Sequence, residues 1–407
     1  VLTAAHLVID EAHELEEAAT DAYSHSLTKD MLDDWLNKIS NRKRKGGLVD
    51  ILPRRKLADS LAEITGLQQE TALVANDSAL FFGLVGMFAR RFQEESKYRM
   101  YQVSLNEELR YQKEWQRLEE TGESLSGKIK GLADKLTKLS EKLDGKLSEK
   151  DGKINEQTKD MLALAQEGKN LGELLTEMII DPRADHVYWV TVRNDEAFVL
   201  QAAPLRVDEM LQNELYKDKK TIVMTSATLS TAGVDESGRV DASFDYFKDR
   251  LGLVDFEFSR AANVFDYKKQ ALIYIPGDID RPESPKYSKD LAKTIESVAT
   301  KLGGKTMVLF TSYSGIKKAY KALAEPLKHE KIDVLAQGVT GGKMKLLQQF
   351  KKSPRAVLLG TATFWQGVDI PGEKLSCLIM AKLPFNVPSE PVFKARQEGY
   401  ANGFTEY

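Results

Sequence analysis

Apolar and polar positions follow three different rhythms along this chain. At the start, Leu7-Val8-Ile9 runs straight into Asp10-Glu11-Ala12-His13, the pattern of a buried strand whose C-terminal edge carries acids. A Glu- and Ala-rich stretch from Glu14 to Ala19 then predicts a helix. From about Ser24 to Asp185 the chain turns helical and charged, almost without strand signals. Leu125, Ile129, Leu132, Leu136, Leu139 and Leu143 recur at 4-3-4-3-4 spacing, which keeps one apolar seam on a helix. Gly127, Gly131, Gly145 and Gly152 weaken a long rod, so an antiparallel helical hairpin is predicted, with Leu164, Leu171, Leu174 and Met178 as the facing seam. Beyond Asp185 the strand rhythm returns. Val187 to Val190 and Ala197 to Leu200 flank Asn194-Asp195 like a hairpin, and Thr221 to Met224 runs into Thr225-Ser226-Ala227-Thr228. The last part predicts strands over Ala271 to Ile275, Met307 to Phe310, Asp333 to Ala336, Ala356 to Leu359 and Leu375 to Met380. Amphipathic stretches such as Ser288 to Leu302 and Gly315 to Leu327 alternate with them. That alternation predicts an α/β architecture with a parallel sheet, whose ligands sit at the C-terminal strand edges.

Composition narrows the picture. With 407 residues the chain is too long for one compact core, so two or three domains are expected. A net charge of −3 with 29 % charged residues means that any nucleic-acid affinity must come from local basic patches. The single cysteine, Cys377, excludes an internal disulfide and any four-cysteine zinc or iron–sulfur site within these residues, and it suits a reducing cytoplasm. No apolar run is read as approaching the roughly 18 residues of a membrane span, and there is no signal-peptide pattern. The chain opens at Val1 directly into a strand and stops at Tyr407 without a closing element, so both ends read as cuts through a larger protein.

Three strand ends carry chemistry. Phosphoryl transfer from ATP needs one carboxylate for the Mg²⁺ shell and another to orient the attacking water, and Asp10 and Glu11 can aim at those two points. A bare Asp-Glu pair would be only an acidic turn; the apolar strand before it and Ala-His after it favour function. Thr225 to Leu229 offers short-range hydroxyls suited to sensing a γ-phosphate, although alone it could be a helix cap. Gly360-Thr361-Ala362-Thr363-Phe364-Trp365-Gln366-Gly367-Val368-Asp369 combines small residues and hydroxyls that let backbone amides approach a phosphate, with Asp369 placed to accept from a ribose hydroxyl. Trp365 reads more readily as core than as a base-stacking platform.

These motifs together resemble the XPD-like branch of superfamily 2 helicases, and the DinG type in particular. Asp10 to His13 is similar to motif II of the DEAH kind, Thr225 to Leu229 to motif III, Leu309-Phe310-Thr311-Ser312-Tyr313 to motif IV and Gly360 to Asp369 to motif V. Lys382-Leu383-Pro384-Phe385 and Pro388-Ser389-Glu390-Pro391 are also similar to the family. The resemblance implies two RecA-like parallel-sheet motor domains, the first incomplete, with an inserted all-helical arch. On that scheme residues 1–23 and 186–231 belong to motor domain 1, 24–185 to the arch and 232–407 to motor domain 2. It also implies ATP and Mg²⁺ as cofactors and 5′-to-3′ movement on single-stranded or forked DNA. Asp10 and Glu11 would handle the metal and the water, while His13, Ser226 and Thr228 would couple hydrolysis to movement. Thr311, Ser312, Tyr313 and Thr361 would contact the nucleic acid, and Gln366, Gly367 and Asp369 would line the nucleotide site. Arg42, Lys43, Arg44 and Lys45 could grip DNA phosphates at the arch, the ordinary alternative being a solvated loop.

The departures from the family pattern are as informative. Gly303-Gly304-Lys305-Thr306 is no Walker A loop, because Ala299 stands where the earlier Gly is required and a strand, not a helix, follows. A glycine helix stop is the expected reading. An arginine-bearing motif VI would lie beyond Tyr407, and an iron–sulfur domain before motif II, so no such cluster is expected within this chain. The isolated chain is accordingly expected to hydrolyse ATP negligibly. A bacterial, cytoplasmic, monomeric enzyme without membrane association is the favoured reading. A nucleic-acid-binding scaffold with a degenerate motor and a DEAH-type RNA helicase are the alternatives.

Overall fold

The computed structural model describes residues 1–407 except 1–3, 42–45, 54–56, 93–99, 145–151, 194–196, 235–239, 263–264, 366–367, 386–389 and 401–407. It divides into two compact units, residues 1–258 with 387–407, and residues 259–386.

The first unit begins with β1 (His6–Ile9), followed by α1 (Leu15–Tyr23), β2 (His25–Thr28), α2 (Lys29–Ile39), α3 (Leu61–Arg90), β3 (Met100–Ser104) and α4 (Glu107–Arg110). Next come the long pair α5 (Lys113–Asp144) and α6 (Gly152–Ile179), then β4 (His186–Arg193), β5 (Ala197–Pro204), α7 (Asp208–Met210) and β6 (Thr221–Met224). A hairpin of β7 (Thr231–Val234) and β8 (Val240–Ser243) leads to α8 (Asp245–Leu251). β1 and β6 pair in parallel, with Ile9 opposite Met224, so the chain leaves one motif and returns beside it some two hundred residues later.

The intervening region is not all-helical, which corrects the sequence expectation. β2, β5, β4 and β3, in that order, form a four-stranded antiparallel sheet. β4 and β5, assigned above to the first motor domain, are its central strands. Leu27, Trp35, Phe81, Val103, Leu125, Leu175, Val190 and Leu200 share one buried cluster, so sheet and helices fold as a single body. The helical hairpin itself is present. Leu125, Ile129, Leu132, Leu136, Leu139 and Leu143 are all buried, and Leu164, Leu171 and Met178 face them as expected, with Leu175 in the core and Leu174 only at its margin.

A ladder of ion pairs fixes the direction of α3 against α5. Lys128, Lys135 and Lys142 pair with Asp77, Glu70 and Glu63, stepping seven residues up one helix and seven down the other. Each exposed pair contributes little on its own, but only the antiparallel register satisfies all three. α3 is long and apolar enough to cross a membrane, contrary to the expectation that no stretch approaches this. In the structure Ile64, Leu67, Val74, Phe81, Phe82, Val85 and Phe88 of that helix are core residues.

Trp35 locks α2 to α6: its ring is fully buried, and Nε1 donates to the Leu164 carbonyl at 2.8 Å. A Cβ at Gly168 would stand 2.2 Å from Cζ2 of that ring. Because the indole is anchored at its nitrogen, it cannot swing away. Gly168→Ala is therefore expected to destabilise the unit by about 1–3 kcal/mol despite its better helix propensity, read as a lowered denaturation midpoint. A neutral or stabilising result would mean that the ring is free to move.

α13 (Pro391–Glu398) belongs to this unit as well. Its Arg396 is buried, donating from Nε to the Leu205 carbonyl at 2.9 Å and from Nη2 to Thr20 Oγ1 at 2.7 Å, with Nη1 3.0 Å from Glu16 Oε1. Arg250 of α8 reaches the same carboxylate oxygen from Nε at 2.8 Å. Glu16, on the first turn of α1 just after the acidic motif, thus holds two buried arginines.

The second unit opens with α9 (Tyr267–Gln270), α10 (Tyr287–Leu302), β9 (Thr306–Leu309) and α11 (Tyr313–His329). It continues with β10 (Asp333–Ala336), α12 (Lys343–Lys352), β11 (Ala356–Gly360) and β12 (Cys377–Met380). The four strands form one parallel sheet in the order β10-β11-β9-β12. Met307, Leu309 and Leu358 pack with Leu346 and Phe350, while Val308, Val357 and Leu359 pack with Ile316 and Leu323. Period-two alternation therefore feeds two cores, one on each face, as a helix-covered parallel sheet requires. Residues 271–275 join no ladder among the described residues, and Leu272 is 92 % exposed, so the strand expected there is not formed. Gly303 ends α10 in the left-handed conformation with φ 65°, and Thr306 begins β9. The glycine stop is as expected.

Candidate nucleotide and nucleic-acid site

In the first unit, the parallel pairing of β1 with β6 sets two sequence-distant motifs side by side at the strands' C-terminal ends. The ladder continues past both strands, through Thr225 N to the Ile9 carbonyl at 2.8 Å and Ala12 N to the Thr225 carbonyl at 2.9 Å. Between these two bonds the chain turns sharply, and Glu11 takes φ 50°, a region that costs a non-glycine residue energy and collects at functional sites. The turn leaves the Glu11 side chain mostly exposed.

Asp10 Oδ1 accepts from Thr225 Oγ1 at 2.6 Å and from Glu11 N at 3.0 Å. Those two donors, the hydroxyl first, hold the Asp10 carboxyl below the usual carboxylate range. His13 Nδ1 lies 2.7 Å from Ser226 Oγ and 3.3 Å from Glu11 Oε2, and Thr228 N donates to Ser226 Oγ at 3.2 Å. All five residues read from the sequence as catalytic are thus joined in one small network. Thr225, not singled out then, is the residue that fixes Asp10.

Mg²⁺ fits this donor set. No group of three or more His, Cys, Asp or Glu is gathered as a metal cage among the described residues. Mg²⁺ in ATPase sites takes one or two carboxylates together with nucleotide phosphates and water, and the exposed Asp10, its carboxyl held below the usual range, offers an oxygen of that kind.

In the second unit the candidates lie at the C-terminal edge of the parallel sheet. Ser312 caps α11, its Oγ accepting from Gly315 N at 3.2 Å. Thr311 and Ser312 line a cavity of about 230 Å³ with Ser288, Ser314, Lys318 and Lys382. Tyr313 is half exposed, and its hydroxyl accepts from Gln337 Nε2 at 3.1 Å. Thr361, expected to touch the nucleic-acid backbone, is instead buried, with its hydroxyl donated to Gln337 Oε1 at 3.0 Å. Asp369 is exposed; Gln366 and Gly367 lie outside the described residues, as do Arg42, Lys43, Arg44 and Lys45. Trp365 is half-buried against the Met307–Phe350 cluster, in keeping with the core reading. Gln337, which bonds both Tyr313 and Thr361, was not revealed by the sequence.

Residues 295–406 match the helicase C-terminal domain family. Across 405 residues the chain is 31 % identical to "3'-5' exonuclease DinG" of Bacillus subtilis, an alignment that takes in 96 % of this chain and 42 % of the relative. Along almost its whole length the chain is thus similar to the DinG-type helicases. A second DinG-type relative, "ATP-dependent DNA helicase DinG" of Photobacterium profundum, is 28 % identical, covering 96 % of this chain and 55 % of the relative. "ATP-dependent DNA helicase YoaA" of Haemophilus influenzae is 33 % identical over 214 residues, covering 52 % of this chain and 31 % of the relative. The chain therefore spans between about a third and about half the length of the curated relatives it matches. The stretches that resemble motifs II and III lie side by side after β1 and β6, and those that resemble motifs IV and V after β9 and β11.

Proposed function

We propose that this chain forms part of an ATP-dependent DNA helicase that moves 5′ to 3′ on single-stranded or forked DNA. The observation that carries this is the junction of motifs II and III, Asp10 to Thr225 at 2.6 Å and His13 to Ser226 at 2.7 Å, between residues more than two hundred positions apart. When bound, Mg²⁺·ATP supplies the electrophilic phosphorus and the charge neutralisation. The residues of this chain do the rest. Asp10 would give the metal an oxygen, Glu11 would orient the attacking water, and Ser226, hydrogen-bonded to His13, would pass on a change at the phosphate. Asp369, with Gln366 and Gly367, would line the nucleotide site. Thr311, Ser312 and Tyr313 would face the DNA backbone, Thr361 supporting them from beneath.

The body between β1 and β6 is proposed as an arch of mixed helix and sheet that helps enclose the strand, with Arg42 to Lys45 as phosphate contacts. Cytoplasmic, monomeric action in a bacterium completes the reading. Strand displacement by the full-length protein carrying this chain tests it. With ATP and Mg²⁺, duplexes with a 5′ single-stranded tail should be unwound and those with only a 3′ tail should not. Equal or reversed preference would refute the polarity, and no unwinding of either would refute the helicase reading.

A further inference from the structure

The C-terminal edge of the second unit's sheet is built around a buried amide. Gln337 directly follows β10, its backbone N donates to the Leu359 carbonyl of β11 at 3.0 Å, and its side chain is buried. A glutamine amide has two acceptor and two donor positions, and here all four are used. Oε1 accepts from Thr361 N at 2.8 Å and from Thr361 Oγ1 at 3.0 Å. Nε2 donates to Tyr313 Oη at 3.1 Å and to Thr363 Oγ1 at 2.9 Å. Tyr313 stands at the start of α11, whereas Thr361 and Thr363 open the segment that runs to Asp369. One side chain, placed just after β10, therefore grips the chain ends that follow β9 and β11.

We propose that Gln337 is a positioning residue that couples the nucleic-acid contacts after β9 to the nucleotide-facing segment after β11. This rests on the helicase reading above. A fully satisfied buried network is stiff, so displacement of Tyr313 by a bound strand shifts Thr361 and Thr363, and the reverse holds equally because coupling between two binding sites is reciprocal. Gln337 is buried and acts through the residues it holds. Its loss weakens communication, not the chemistry.

The test is a double-mutant cycle in the full-length protein, reading the single-stranded DNA concentration for half-maximal ATPase, the maximal rate and the thermal midpoint. Gln337→Leu should raise the half-saturating DNA concentration by about fivefold or more, the lower end of ordinary coupling. Tyr313→Phe should raise it by less, and Tyr313→Phe added to Gln337→Leu should add almost nothing. Should Gln337→Leu fail to fold, Thr363→Val, which removes an exposed acceptor of the same amide, must shift the half-saturating concentration in the same direction. A lower thermal midpoint with unchanged half-saturation, or fully additive effects of the two substitutions, overturns the inference while leaving a DNA-stimulated wild type intact. A wild type whose ATPase ignores DNA overturns the helicase reading, and this inference with it.

Discussion

Glu11→Gln in the full-length protein carrying this chain is expected to lower ATP turnover by roughly 10²-fold or more, the loss expected when a positioned base is removed. Nucleotide affinity should change by only a few-fold, because binding rests on the phosphates and metal. The structure gives this a geometric basis. Glu11 sits at φ 50° on the turn that ends β1, so its carboxylate stands apart from Asp10, whose Oδ1 is already committed to Thr225 and to the Glu11 amide. The two acids thus have separate tasks. Steady-state hydrolysis and equilibrium binding of a labelled nucleotide, measured on the same preparation, decide the matter; a loss of only a few-fold in turnover would remove Glu11 from that role.

The largest expected effect on stability is at Glu16. Its carboxylate meets Arg250 and Arg396, both almost fully buried, and the three side chains draw together α1, α8 and α13. Removing one member of a buried ion pair leaves uncompensated charge inside the protein. Glu16→Ala is therefore expected to cost about 3–5 kcal/mol, seen as a lower denaturant midpoint at unchanged slope. Replacing all three residues with apolar ones of similar volume should cost much less, since no charge is then stranded. A loss below about 1 kcal/mol for the single substitution would mean that water reaches the arginines.

The motifs could be read from the sequence because each is short, contiguous and placed at the end of an apolar strand. Asp10 to His13 and Thr225 to Thr228 needed no knowledge of partners, and the pairing of β1 with β6 brings them together. The helical hairpin was equally visible, since the seam from Leu125 to Leu143 repeats over enough turns to exclude chance.

What failed were features that depend on distant chain. β2 and β3 are four and five residues long and are joined only through β4 and β5. The alternation of exposed Met100 and Gln102 with buried Tyr101 and Val103 is too brief to stand out between charged segments. Residues 271–275 show the converse: an apolar run with strand propensity stays unpaired where no neighbouring strand meets it among the described residues. Gln337 was invisible for another reason. A lone glutamine carries no motif, and only the fold supplies the four partners that define it. Thr361 was found as a motif residue but given the wrong surroundings, because sequence does not distinguish a hydroxyl facing solvent from one turned onto a buried amide.

The central claim is that these residues belong to a motor driven by ATP and gated by DNA. Its most direct test is steady-state ATP hydrolysis by the full-length protein, titrated in parallel with single-stranded DNA and with RNA of the same sequence. The account predicts saturable stimulation by DNA and little by RNA. Stimulation by RNA alone would make this an RNA helicase, and hydrolysis indifferent to both would leave a nucleic-acid-binding scaffold in place of a motor.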